Sequence, residues 1–198
     1  MKIFLIRHGK TPQGEKQQYQ GVLDTSLSEG GRAALKKADQ TPDRVYVSPL
    51  KRAKETAEIL FPAADLRVAE GLSEMNFGEF EGRSWREMEH DAAYRAWVDG
   101  NCEGRCPGGE DRAGFSDRVC SAFREIIELA LQDGMEQIAV VAHGGTQMAV
   151  LERWSSGSNR QYWEWQTACG CGWALDTAGW PEILQVEGNV QYTIQEES

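Results

Sequence analysis

The chain has no long apolar run. The stretch from Met1 to Ile6 is too short for a signal peptide or a membrane span, and no later run reaches the needed length. The expectation is a cytoplasmic protein with no membrane partner. The chain also lacks an excess of basic residues: 21 Lys and Arg stand against 31 Asp and Glu, a formal net charge of −10. Nucleic acid is therefore a poor general partner, and an anionic ligand would have to be met by cations gathered locally. Cysteine is scarce and odd in number, at positions 102, 106, 120, 169 and 171, which argues against a secreted disulfide framework. Four of the five fall in CxxxC and CxC pairs rather than the CxxC of common zinc sites. On a strand, Cys169 and Cys171 would share a face, which suits plain packing. No Asp, Glu and His cluster has ligand spacing, so neither a metal nor a cofactor is expected. No repeat or low-complexity linker divides the 198 residues, a length that suits one α/β domain with a sizeable core.

Histidine is scarcer still, with three in the chain. Two of them, His8 and His143, follow an apolar run and precede a glycine. The first sits in Leu5-Ile6-Arg7-His8-Gly9-Lys10-Thr11, where a buried strand breaks off. Strand ends of α/β sheets are where ligand sites form. Arginine suits a phosphoryl group through its charged, forked donors. Neutral imidazole is nucleophilic near pH 7, and glycine lets a bulky anion approach the backbone. The third histidine, His90, falls in a polar helical stretch and is expected at the surface. Gly9-Lys10-Thr11 also looks like the end of a nucleotide-binding P-loop, but that motif needs a glycine where Phe4 stands.

Alternating strands and helices organise the chain. Strands are expected at 2–7, 44–47, 66–68 and 138–142, with late strands at 173–175 and 183–186 forming a hairpin at one sheet edge. Residues 10–27 are expected as a polar loop. Helices are expected at 29–38 behind an Ser28 cap, at 51–60, at 112–132 and from 144 to about 154. Residues 76–112, rich in glycine and carrying Trp85 and Trp97, are expected as an inserted helical and loop cap within a single domain, 1–198. The pattern predicts a three-layer α/β sandwich with a mostly parallel central sheet and helices on both faces. Parallel strands end on one edge, which would make His8 and His143 neighbours. Arg52 would open the second helix, where free N–H groups already favour anions. Glu74 follows the third strand.

Four motifs in order then resemble the histidine phosphatase superfamily: Arg7-His8-Gly9 with Thr11; Ser48-Pro49-Leu50-Lys51-Arg52-Ala53; Leu72-Ser73-Glu74 with Phe77-Gly78 and Glu81-Gly82; and Val141-Ala142-His143-Gly144. Tyr19, Gly21 and Asp24 fit the family's loop after the first motif. Pro107-Gly108-Gly109-Glu110 ahead of a long helix looks like the alpha-ribazole phosphatase branch. The resemblance implies a phosphoglycerate mutase-like fold. It implies that His8 attacks phosphorus and carries the phosphoryl group, and that Arg7, Arg52 and His143 hold its oxygens. Glu74 would be the proton donor, and Gly9, Thr11, Tyr19, Gly21 and Gly144 would contact substrate. No metal is needed if the arginines offset the charge.

The chain departs from the mutases at Gly14, where many have asparagine. It departs again at Met75-Asn76, where they place cationic residues after the acid. Phosphatase is thus preferred to mutase-type phosphoryl transfer, and a non-catalytic phosphate-binding regulator is the remaining alternative. The partner would be a small phosphorylated metabolite, with alpha-ribazole 5'-phosphate a candidate through the branch resemblance alone. Arg83, Trp85, Tyr94, Trp97 and Glu110 of the cap are candidates for specificity. Oligomeric state has no signature in the sequence.

Overall fold

The computed structural model describes residues 1–155 and 159–194. It contains one six-stranded sheet of order β3-β2-β4-β1-β5-β6. The strands are β1 (Lys2–Arg7), β2 (Arg44–Val47), β3 (Leu66–Val68), β4 (Gln137–Ala142), β5 (Cys171–Asp176) and β6 (Gln185–Gln191). β1 to β4 run parallel, and β5 and β6 are antiparallel to their neighbours. The central pair, β1 and β4, carries the uninterrupted apolar runs, because a strand covered on both faces has no solvent side to make polar. Side chains alternate between the faces. Ile3, Leu5, Ile138 and Val140 meet the helices α5 (Arg112–Gln132) and α6 (Gly144–Trp154). Phe4, Ile6, Val45, Val47, Ala139 and Val141 pack on the other face with α3 (Lys51–Leu60). That is the expected sandwich, with the late hairpin at one edge. No helix among the described residues is long and apolar enough to cross a membrane.

Several boundaries differ from the sequence reading. The polar loop contains a short helix, α1 (Pro12–Glu15), capped by Thr11 with proline at its start. The helix expected over 29–38 is α2 (Glu29–Ala33) and stops early. Beyond it Leu35 bridges to Thr193, and Lys36 N–H donates to the Tyr192 carbonyl at 2.9 Å; tertiary pairing overrides helix propensity there. β5 and β6 are longer than expected. β6 is an edge strand whose polar residues hide its period, and Ile183 and Leu184 precede it. Cys169 lies outside β5, separated from Cys171 by Gly170 at φ +73°, so strand alternation does not relate the two. The 76–112 segment holds one regular helix, α4 (Ala92–Asp99).

Register fixes what meets at the sheet edge. Arg7 pairs with Ala142 and Val47 with Val141. His8, Ser48 and His143 are the first residues beyond three adjacent strands. His8 N–H donates to the Ala142 carbonyl and Ser48 N–H to the Val141 carbonyl, both at 3.0 Å.

Candidate active site

His8 is buried, and its Nδ1 lies 2.7 Å from the Gly9 carbonyl oxygen. A carbonyl oxygen only accepts, so Nδ1 carries the proton and Nε2 holds a lone pair. Burial, then the charges of Arg52 and Arg7, hold the imidazole well below the ordinary histidine range. The ring is therefore neutral at pH 7, with Nε2 as its basic and nucleophilic atom. Arg52 Nε stands 3.3 Å from that atom.

Arg52 is 1% exposed and fully engaged. Its Nη1 donates to the Leu23 carbonyl at 2.8 Å and its Nη2 to the Gly21 carbonyl at 2.6 Å. Gly21 adopts φ +51°, and a side chain there would also run into the Glu81 carboxylate. That carboxylate accepts N–H groups from Val22, Leu23 and Phe77 at 2.9, 3.1 and 3.0 Å. Glu81 thus shapes the loop, the loop's carbonyls aim Arg52, and Arg52 faces His8. Asp24 accepts the Lys51 N–H at 2.7 Å, tying the same loop to the start of α3.

His143 lies beside His8, with ring centroids 5.2 Å apart. Its Nε2 is 2.7 Å from Ser48 Oγ, while its Nδ1 is buried without a partner. Burial, then Arg52, lowers its pKa well below the ordinary value. Arg7 donates from Nη1 to the Thr167 carbonyl at 2.6 Å, and its Nε is also buried and unpartnered. Gln147, wholly buried, fixes Thr167 by accepting its N–H and hydroxyl, each at 3.0 Å.

Glu74 accepts the Met75 N–H at 3.0 Å and the Gly145 N–H at 3.3 Å. Burial raises its pKa despite these donors and the nearby Arg52. One site thus holds two imidazoles whose pKa values are lowered, two guanidinium groups and a carboxyl whose pKa is raised.

These groups border a cavity of about 280 Å³, whose wall includes Arg7, His8, Arg52 and Glu74. Thr11, Tyr19 and Gly21 also reach the wall. The Thr11 hydroxyl donates to Gln20 at 2.9 Å and caps α1 through Gly14 N–H at 3.1 Å. Gly9, Gly144 and His143 do not reach it. Gly9 gives its N–H to Thr56 Oγ1 at 3.0 Å and its carbonyl to His8, so it orients the ring. Gly144 starts α6 against the Gln166 side chain, which a side chain at 144 would have to displace. Of the cap candidates Trp97 lines the cavity; Arg83, Trp85, Tyr94 and Glu110 do not. Arg83 pairs with Asp91, and Tyr94 bonds to the Tyr19 hydroxyl at 3.0 Å. His90 is exposed, with its Nε2 3.4 Å from a Glu89 carboxylate oxygen.

The sequence reading misses much of the wall, notably Arg112, Phe115, Met148, Tyr162 and Trp163. A signal existed for two of them, in the dense aromatic stretch Tyr162-Trp163-Glu164-Trp165. Among the described residues no group of three or more His, Cys, Asp and Glu is placed to hold a metal.

Residues 3–180 match the Histidine phosphatase superfamily (branch 1). The chain belongs to this family. Adenosylcobalamin/alpha-ribazole phosphatase of Salmonella typhimurium is 29% identical over 185 residues, covering 89% of this chain and 90% of that protein. Phosphoglycerate mutase-like protein 4 of Arabidopsis thaliana is 30% identical over 164 residues, covering 77% and 70%. The crystal structure of the alpha-ribazole phosphatase from Shigella flexneri matches with a TM-score of 0.80 at 26% identity, over 100% of each chain. This histidine phosphatase is therefore an enzyme, from a family that acts on small phosphorylated substrates and includes phosphatases and mutase-like proteins.

Proposed function

We propose that this histidine phosphatase hydrolyses a small phosphomonoester through a phosphohistidine at His8, without a metal. The observation that carries the reading is the fixed tautomer of His8: Nδ1–H is committed to the Gly9 carbonyl, so Nε2 is the lone-pair atom, and phosphorus need displace only the 3.3 Å hydrogen bond that it accepts from Arg52 Nε. As the Nε2–P bond forms, the ester P–O bond breaks and Glu74 passes its proton to the departing alcohol oxygen. Water then gives a proton to the Glu74 carboxylate and attacks phosphorus. The N–P bond breaks, its electron pair returns to Nε2, and phosphate leaves. Arg7 and Arg52 offset the charge of the transferring group. Arg7 lines the cavity and its Nε is a buried donor without a partner, which supports a bound phosphoryl group, because such an atom is costly unless a ligand meets it.

The segment after the acid favours water over a second phosphoester as acceptor. Met75 places an apolar chain on the wall. Asn76 turns its side-chain oxygen to the Gly78 N–H at 2.8 Å. Neither supplies a cation for a bisphosphate. An aromatic wall of Phe77, Trp97, Tyr162 and Trp163 suits a bulky, ring-bearing alcohol. This, with the relatives' names, makes alpha-ribazole 5'-phosphate the leading substrate. The test is phosphate release from that ester and a panel of phosphomonoesters, run beside 3-phosphoglycerate primed with bisphosphoglycerate. We expect phosphate release and negligible 2-phosphoglycerate. Interconversion of phosphoglycerates outpacing hydrolysis of every ester would overturn the proposal.

A further inference from the structure

Glu74 sits on backbone that is neither helix nor strand, between the single turns Glu70–Leu72 and Gly78–Phe80. What grips this stretch comes from α5 and from the Pro107–Glu110 turn. Arg118 donates Nη1 to the carbonyls of Gly71 and Ser73, at 3.0 and 2.9 Å, and Nη2 to that of Glu74 at 3.4 Å. Its Nε and Nη2 also donate to the two oxygens of Glu110, at 3.0 and 2.8 Å. Glu110 in turn accepts the Asn76 N–H at 2.9 Å and gives its own N–H to the Asn76 carbonyl at 2.8 Å. One bidentate ion pair therefore holds the chain on both sides of the acid. Neither residue reaches the cavity wall, so neither can touch substrate directly.

We propose that Arg118 and Glu110 are positioning residues for proton transfer at Glu74, acting on the reaction only through the placement of that carboxyl. The inference rests on the reading of Glu74 as the proton donor. Arginine is required because the grip uses Nε, Nη1 and Nη2 at once. A lysine ammonium is a single point and cannot span three carbonyls and a carboxylate. Displacing a reacting group by a fraction of an ångström to one ångström is costly when the chemistry depends on its placement. The cost should therefore fall on substrates that need the proton and spare those that do not.

The test is single-turnover phosphoenzyme formation from glycerol 2-phosphate, whose alkoxide leaves poorly, and from p-nitrophenyl phosphate, whose phenolate leaves unaided. Proteins compared are wild type, Arg118→Lys, Glu110→Gln, Glu74→Gln and the Glu74→Gln/Arg118→Lys double variant. A parallel titration with excess p-nitrophenyl phosphate, read as the amplitude of the p-nitrophenolate burst, counts competent sites, so rates refer to folded enzyme. For each clamp variant we expect about a tenfold or greater loss on the alkyl ester and less than about threefold on the aryl ester. In the Glu74→Gln background, Arg118→Lys should add less than about twofold, because residues acting through one group are non-additive. Equal slowing of both esters, or full additivity with Glu74→Gln, would overturn the inference while leaving Glu74 in place. If Glu74→Gln itself shows no leaving-group dependence, the acid assignment falls and the inference falls with it.

Discussion

Replacing Gly145 with alanine should disable the proton donor while leaving the fold standing. Gly145 is the second residue of α6, and its N–H supports the Glu74 carboxylate at 3.3 Å. A methyl group there would stand 2.8 Å from Phe115 Cζ and closer still to Glu74 Oε1. Non-bonded heavy atoms settle near 3.5–4.0 Å, so ring and carboxylate must each retreat by roughly 1 Å. Overpacking of this kind costs about 1–3 kcal/mol, and alanine in place of a helical glycine returns about 1 kcal/mol. The net loss is about 0–2 kcal/mol, a fall in Tm of no more than about 8 °C for a domain of this size. A misplacement of about 1 Å in a reacting group costs about 100-fold in rate. The signature is therefore a small thermal shift beside a large, selective kinetic loss. Rapid-quench measurement of phosphoenzyme formation should show about a 100-fold loss on an alkyl phosphate and a much smaller one on p-nitrophenyl phosphate. An alkyl-phosphate rate within about threefold of wild type would refute the reasoning, as would equal losses on both esters.

Arg52→Lys should behave differently. It leaves the Gly21 and Leu23 carbonyls without their charged donors, destabilising the protein by about 2–5 kcal/mol, and it should slow both esters alike by about 10²–10³-fold; an unchanged melting temperature would show that Arg52 is not held as described. The rate of phosphoenzyme formation should depend on pH in two limbs. On the proposed mechanism His8 reacts neutral, and because its pKa is lowered the rise should lie below the ordinary histidine value of about 6.5. On the same mechanism Glu74 acts protonated, and because its pKa is raised the fall should lie above the ordinary carboxylate value of about 4.3; Glu74→Gln should abolish the falling limb, and its persistence would point to another acid. Dialysis against EDTA should leave turnover unchanged if, as proposed, Arg7 and Arg52 carry the compensating charge; a loss that added zinc or magnesium reverses would contradict this.

The centre of the sheet is legible because β1 and β4 announce themselves as unbroken apolar runs, and both end in His-Gly. Parallel pairing then brings His8 and His143 together without any contact having to be guessed. The range expected for the helix after Ser28 is too long for the opposite reason: the end of the helix is set by pairing between Leu35 and Thr193, some 160 residues apart, which no local pattern reports. The same limit hides the supporting residues. Glu81, Gln147 and Arg118 look like ordinary polar side chains in the sequence, and their importance lies in which distant backbone groups they bond. Gly9 and Gly144 look like substrate contacts, yet both stand off the cavity wall, where Gly9 orients His8 and Gly144 makes room for Gln166. The wall itself draws on Phe77, Trp97, Arg112 and Tyr162, from stretches outside or beside the strand-end motifs, so no single motif could have listed it.

The most direct test of the central claim is chemical identification of the phosphorylated residue. Enzyme mixed with a ³²P-labelled phosphomonoester and quenched within the first turnover should carry label that acid removes and base preserves, as a phosphohistidine does. The peptide bearing the label should contain His8, and His8→Ala should carry none. Label that persists in His8→Ala, or that maps to His90 or His143, would contradict the claim.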